Sequence, residues 1–265
     1  MFFATYKFFS AALGREVNTR VILPSREAKD PFEKESFRPY QEEPLKVLYL
    51  LHGGFGCEED WLYMTRLASL VRKGRAMIVM PFAENSYYQD LPYGPGYWTF
   101  ISEELPEMIL PMFPQASRKR EDTFAAGLSM GGYGALRLGL AKPERFAAVA
   151  SLSGVLDLKA RIADSKGSLA SRGLRFSDNF FDEDEIGDSD LLVLMKKAAE
   201  QKEKLPRFYF SVGTEDFVYP YNQNAKKQMD ACEIPYHYEE HPGAHEWSYW
   251  NLYIESVLKW MKLIP

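Results

Sequence analysis

Residues 127–131 read Gly-Leu-Ser-Met-Gly, set between an apolar run of strand length, Asp122 to Leu128, and a helical run, Met130 to Lys142, that Pro143 halts. A serine on such a sharp strand-to-helix turn takes a strained backbone. Glycines two residues to either side let neighbouring chain approach where a Cβ would clash. The hydroxyl is then exposed, and the free N–H groups and positive end of the new helix face any oxygen that becomes anionic there. The pentapeptide alone recurs by chance; the strand before and helix after distinguish it from an ordinary tight turn.

That order of elements asks for an α/β sheet protein, and the composition allows one. A chain of 265 residues, 46% hydrophobic, suits one large α/β domain spanning 1–265. Net charge is −5 with Lys and Arg scattered, which argues against a nucleic-acid partner. The aromatic-rich start, Met1 to Leu13, lacks a basic opening, a clean apolar stretch and a cleavage site, and reads as a strand. The longest weakly polar run, Phe124 to Ala141, contains five glycines and Arg137, so no membrane span is expected. Two cysteines, Cys57 and Cys232, are too few for a disulfide framework and suit a reducing, cytoplasmic compartment.

Along the chain, Phe2–Phe9 and Glu16–Leu23 predict an opening antiparallel pair, and the Pro-rich, charged stretch from Pro24 to Pro44 a surface loop. Leu45–Leu51 reads as a buried strand ending at His52-Gly53-Gly54, Glu58–Arg72 as a helix and Ala76–Met80 as a strand. Residues 83–98, with Tyr87, Tyr88, Tyr93, Tyr97 and Trp98, read as a long loop, and Thr99–Phe113 as a helix that Pro106 and Pro111 shorten or kink. Phe146–Leu152 and Pro206–Val212 are the next strands. The polar connection at 155–203, with the acidic stretch Asp182–Asp190 and a helix from Asp190 to Lys202, is either a small cap beside the site or a solvated excursion. Tyr219–Cys232, Ile234–His241 and Glu246–Met261 complete the alternation as helix, strand and helix. The expectation is a mostly parallel sheet covered on both faces.

A serine hydroxyl is a weak nucleophile unless a neutral imidazole takes its proton and a carboxylate orients the imidazole. Of four histidines, His52 sits at a strand end where it shapes a turn, and His237 lies inside an alternating strand. His241 ends that strand, whereas His245 lies in the loop beyond it, where such sheets collect their chemistry; His245 is preferred. Gly213-Thr214-Glu215-Asp216 follows a strand end, making Asp216 the preferred acid, with Glu215 and Asp157 as alternatives. Two amides must also face the developing oxyanion: Met130, directly after the serine, and one from the Gly-Gly turn, placed at Gly54 with Phe55 as alternative.

Leu51-His52-Gly53-Gly54, Gly127 to Gly134, Gly213 to Asp216 and Gly243-Ala244-His245-Glu246-Trp247 together resemble the esterase D-like family over nearly the whole chain. Within it the chain is most similar to the small tributyrin-type esterases, whose relatives include S-formylglutathione hydrolases, feruloyl and acetylxylan esterases and mycolyltransferases. The resemblance implies an α/β-hydrolase fold. It also implies Ser129 as nucleophile, Asp216 as orienting acid, His245 as base, and Gly54 and Met130 as oxyanion donors. Gly54-Phe55-Gly56-Cys57 departs from the S-formylglutathione hydrolase pattern; Cys57 reads as a packing residue with no catalytic role. The loop aromatics, with Trp247 and Trp250, either line an acyl pocket or pack in the core.

The expected activity is that of a serine carboxylesterase on small or short-chain acyl esters, with no cofactor, no metal, no nucleic-acid and no membrane partner. Its alternatives are the related esterases, an acyltransferase with the same three residues, and a silent binding protein on the same fold. Self-association stays open.

Overall fold

A computed structural model describes residues 1–24, 44–72, 74–91, 94–168 and 186–265. The expected loop from Pro24 to Pro44 falls almost wholly outside the described residues, as do Tyr93 and the first part of the acidic stretch Asp182–Asp190.

The chain opens with a hairpin of β1 (Phe2–Ser10) and β2 (Arg15–Leu23), paired antiparallel from Phe2 opposite Leu23 to Ser10 opposite Arg15. Then follow β3 (Lys46–Leu51), β4 (Ala76–Pro81), β5 (Thr123–Leu128), β6 (Ala148–Leu152), β7 (Arg207–Gly213) and β8 (Tyr236–His241). Among the described residues these form one sheet in the order β1-β2-β4-β3-β5-β6-β7-β8, with β2 antiparallel to β4 and every pairing from β4 to β8 parallel.

Alternate strand residues point to opposite faces. In β3, Val47, Tyr49 and Leu51 join one apolar cluster, while Leu48 and Leu50 join the other. Both sets are apolar, so the strand can persist only if helices cover both faces. On one face lie α5 (Met130–Ala141), α7 (Leu191–Ala198) and α8 (Tyr219–Ala231); on the other lie α2 (Leu67–Val71) and α9 (Trp247–Trp260). No helix of the described residues is long and apolar enough to cross a membrane.

Two expected helices are modified. Instead of one helix over Glu58–Arg72, α1 (Asp60–Tyr63) and α2 are separate pieces. Thr65 divides them: its hydroxyl donates to the Trp61 carbonyl at 2.5 Å and accepts the Leu67 amide at 3.1 Å, and the Arg66 amide goes to Asn251 at 2.8 Å. A side chain that offers the backbone such alternatives competes with the helical ladder. Thr99–Phe113 starts two residues early as α3 (Tyr97–Thr99), passes through a wider π turn at Phe100–Glu104, and continues as α4 (Leu105–Met112). Pro106 has no N–H for the Ser102 carbonyl, and the Arg145 guanidinium donates to it instead.

Residues 155–203 contain, besides the expected second helix, α6 (Leu158–Ser168) directly after β6. Asp190 is the N-cap of α7, accepting the Leu192 amide at 2.8 Å, and beyond α7 the chain tightens into 3-10 turns to Lys204. Because β3 and β5–β8 run parallel, their carboxyl ends at Leu51, Leu128, Leu152, Gly213 and His241 open on one edge of the sheet. The predicted functional residues follow those ends.

Candidate active site

Ser129 sits at the junction of β5 and α5 with φ 54 and ψ −118, in the left-handed half of backbone space that an L-residue avoids. The motif glycines explain how this turn closes. A Cβ on Gly127 would collide with the Gly131 backbone, and one on Gly131 with the Leu51 and His52 carbonyl oxygens. The Ser129 amide donates to the Leu152 carbonyl at 2.9 Å, and its own carbonyl accepts from Tyr133 at 3.1 Å and Val155 at 3.3 Å.

His245, between β8 and α9, places Nε2 3.0 Å from Ser129 Oγ and Nδ1 2.9 and 3.0 Å from the two carboxylate oxygens of Asp216. A carboxylate only accepts, so Nδ1 carries the hydrogen and Nε2 is the lone-pair nitrogen facing the hydroxyl. Asp216 is buried, and its Oδ1 also accepts the Val218 amide at 3.0 Å. The imidazole is held by the Phe217 ring, centroids 4.5 Å apart, and by the edge of Trp250 at 4.9 Å. The arrangement can pass a proton from a serine hydroxyl to an oriented imidazole.

The other candidates are engaged elsewhere. His52 is buried, with Nδ1 donating to the Gly53 carbonyl at 2.7 Å and Nε2 accepting the Ala83 amide at 2.9 Å; burial holds its pKa below the usual histidine value. His237 and His241 bond Glu239 and stack on Tyr209 and Tyr253. Glu215 accepts the Gly243 amide at the surface, and Asp157 caps α6 through the Ala160 amide at 3.0 Å.

Beside the serine, a Cβ on Gly53 would lie 3.4 Å from that of Ser129, which puts the Gly53-Gly54 turn against the hydroxyl. The Phe55 amide, the alternative to Gly54, is committed: at φ 63 it donates to Asn85 Oδ1 at 2.5 Å. Among the described residues, no protein acceptor takes the Gly54 or Met130 amide.

The family model described as "Putative esterase" matches residues 10–261. The chain belongs to that family. An acetyl esterase of Caldicellulosiruptor saccharolyticus is 33% identical to it over 264 residues, 97% of each chain. Among solved structures, FphF, a fluorophosphonate-binding serine hydrolase of Staphylococcus aureus solved with substrate bound, is 26% identical, covering 98% of each chain with a TM-score of 0.82. An S-formylglutathione hydrolase of the same species is 28% identical, again over 98% of each, with a TM-score of 0.79. The sheet and its flanking helices are thus an α/β-hydrolase fold, and the protein is a carboxylic-ester hydrolase.

In this esterase most of the predicted pocket aromatics serve the scaffold. Tyr88 and Tyr97 are buried; the Tyr88 hydroxyl donates to the His52 carbonyl at 3.0 Å. Trp98 lies under the Arg137 guanidinium at 3.9 Å, and Trp250 packs edge-on against Trp247 at 5.1 Å. Cys57 donates its thiol to Asp60 at 3.3 Å, and burial, with Asp60 beside it, holds the thiol pKa up, which opposes thiolate chemistry. Among the described residues no group of three or more His, Cys, Asp or Glu side chains is arranged to hold a metal. Sequence reasoning missed the contacts of Asn85 with the Phe55 amide and of Phe217 with the imidazole. Only Phe217 left a signal, an aromatic directly after the preferred acid.

Proposed function

We propose that the chain is a cofactor-independent serine carboxylesterase of small or short-chain acyl esters, working through an acyl-enzyme. The observation that carries this reading is the unbroken series from Ser129 Oγ to His245 at 3.0 Å and on to Asp216 at 2.9 Å. In the first step His245 Nε2 takes the hydroxyl proton as Ser129 Oγ bonds to the ester carbonyl carbon. The carbonyl oxygen becomes anionic between the Gly54 and Met130 amides. The imidazolium, stabilised by Asp216, then gives that proton to the departing alkoxide, leaving an acyl-serine and a free alcohol. Water then attacks the acyl carbon as His245 takes its proton, and the second anionic intermediate collapses by breaking the bond to Ser129 Oγ, which receives that proton from His245 as the carboxylic acid leaves. The acetyl esterase relative favours small acyl groups, with acetyl the first to test.

A panel spanning acyl chain length, acetylated sugars, feruloyl esters and S-formylglutathione, run with a Ser129→Ala control, tests the reading. Ser129→Ala is expected to lower turnover by roughly 10⁴-fold or more without loss of folding, and a serine-directed phosphonate should label the peptide containing Ser129. Unchanged turnover, or labelling at another residue, ends the assignment. If an added alcohol captures the acyl group faster than water, the same residues are serving a transferase.

A further inference from the structure

Near the histidine lies a cation that pairs with no carboxylate among the described residues. The guanidinium of Arg161, on the first turns of α6, stands over the Phe217 ring at 5.3 Å, and that ring also contacts the His245 imidazole at 4.5 Å. Hydrogen bonds at the start of its helix hold Arg161 there. Asp157 caps the helix, receiving the Ala160 amide at 3.0 Å and the Asn224 side-chain amide at 2.9 Å, and the Arg161 amide donates to the Asp157 carbonyl at 3.0 Å. The helix starts immediately after the β6 segment whose Leu152 carbonyl and Val155 amide bond the Ser129 backbone, so its first turns belong to the rim of the site.

Among the described residues the groups facing the guanidinium reach it through neutral hydroxyls and rings. On its own helix, the Asp157 carboxylate is occupied as described, and that of Asp164 accepts the Tyr221 hydroxyl at 2.7 Å. Among the described residues neither forms an ion pair with Arg161, nor does any other carboxylate. From the neighbouring elements it stands over Phe217 and hydrogen-bonds the Tyr221 hydroxyl on α8, which itself donates to Asp164, while Tyr87 feels its charge. Both phenols are pushed up to about 12, chiefly by burial, and stay neutral at ordinary pH. A half-buried guanidinium bounded by neutral hydroxyls and by the Phe217 ring that also touches His245 is suited to receive an anion.

We infer that Arg161 selects, among the esters this site hydrolyses, those carrying a carboxylate a short distance from the scissile bond. The inference rests on the serine esterase reading and adds a substrate class to it. Phe217 ties the two together: its exposed ring contacts both the guanidinium and the imidazole, so a carboxylate paired with Arg161 lies near the reacting groups and leaves the bond of His245 to Asp216 in place.

The test compares matched pairs of esters. For charge on the acyl side the pair is p-nitrophenyl hemisuccinate and p-nitrophenyl butyrate; for charge on the alcohol side, 4-carboxyphenyl acetate and 4-carbamoylphenyl acetate. The wild-type enzyme is expected to favour the charged member of at least one pair in kcat/KM. That ratio should fall roughly tenfold or more in Arg161→Ala, less in Arg161→Lys, and reverse in Arg161→Glu. It should also shrink in the wild type as salt rises from about 0.05 to about 0.5 M, which needs no variant to fold. Absence of charge preference in both pairs, or a loss in Arg161→Ala shared equally by charged and neutral members, overturns the inference. Turnover of the neutral esters by the wild type reports separately on the esterase reading, so the two failures are distinguishable.

Discussion

A non-glycine residue at φ 54 and ψ −118 costs on the order of 1–3 kcal/mol, and Ser129 keeps that backbone because hydrogen bonds from three directions determine it. The opposite wall is held in a similar way. Phe55 is also left-handed, at φ 63, and its amide is tied to Asn85, in a loop where Glu84, Tyr87 and Tyr88 are left-handed as well. By taking the Phe55 N–H, Asn85 fixes the direction of the preceding peptide, which on the proposed mechanism leaves the Gly54 N–H for the reacting oxygen. On that mechanism Asn85 is a positioning residue. Asn85→Ala should lower kcat by roughly tenfold, a fraction of what losing an oxyanion donor outright costs, with KM changing little. The rate of inactivation by a phosphonate, whose phosphoryl oxygen needs the same amides, should fall in parallel. A wild-type kcat in Asn85→Ala would remove the residue from the mechanism.

At the scale of elements, legibility follows the physics that forms each one. The strands β3 to β7 were readable because both faces are buried and the run is apolar throughout. Helices α5, α8 and α9 were readable because helical periodicity continues to a break such as Pro143. The split between α1 and α2 was hidden because the apolar spacing through Leu62 and Leu67 continues across it. What breaks the helix is the Thr65 hydroxyl and a partner at Asn251, distant in sequence. The first turns of α6 escaped notice because Leu158 and Ile162 are too few to show a period. The site divides similarly: Ser129, Asp216 and His245 follow strand ends and share the carboxyl edge, but the roles proposed for Asn85 and Arg161 rest on contacts that no local pattern encodes. The β5–α5 junction also carries a prediction. Gly131 lies where the start of α5 crosses the end of β3, with the Leu51 and His52 carbonyl oxygens in the place of a Cβ. Gly131→Ala must push the helix away from the strand, moving Ser129 relative to Gly54. It should cost about 1–3 kcal/mol in stability, typical of overpacking, and a larger share of activity. Denaturant melts and ester turnover measure both; wild-type values in each would mean that the junction gives way without consequence.

For the whole molecule, burial sets the pH range over which the two-faced core is stable. His52 is neutral in the fold because burial lowers its pKa, and a second ring proton would face the Ala83 N–H donor. The unfolded chain binds that proton near 6.5, so His52 favours the folded state above this value, and the advantage is lost as pH falls below it toward the lowered folded pKa. Glu103, held low by Lys142 and Arg145 against the cost of its own burial, and Glu239, held low by His237, Tyr209 and His241, add a further loss below their ordinary 4.5. The tyrosines act at the other end. Burial raises the pKa of Tyr49, Tyr88, Tyr133 and Tyr209, so the fold keeps protons that the unfolded chain releases near 10. Their contribution is complete below that pH and is lost as pH rises through and beyond it. Melting temperature should therefore be level between about 6.5 and about 10 and fall on both sides. His52→Gln, less stable at neutral pH, should show a shallower slope on the acid side. On the alkaline side, tyrosinate absorbance from the buried rings should appear only as the protein unfolds. Their ionisation near 10 in a chain that still hydrolyses esters would show that both faces of the sheet admit solvent.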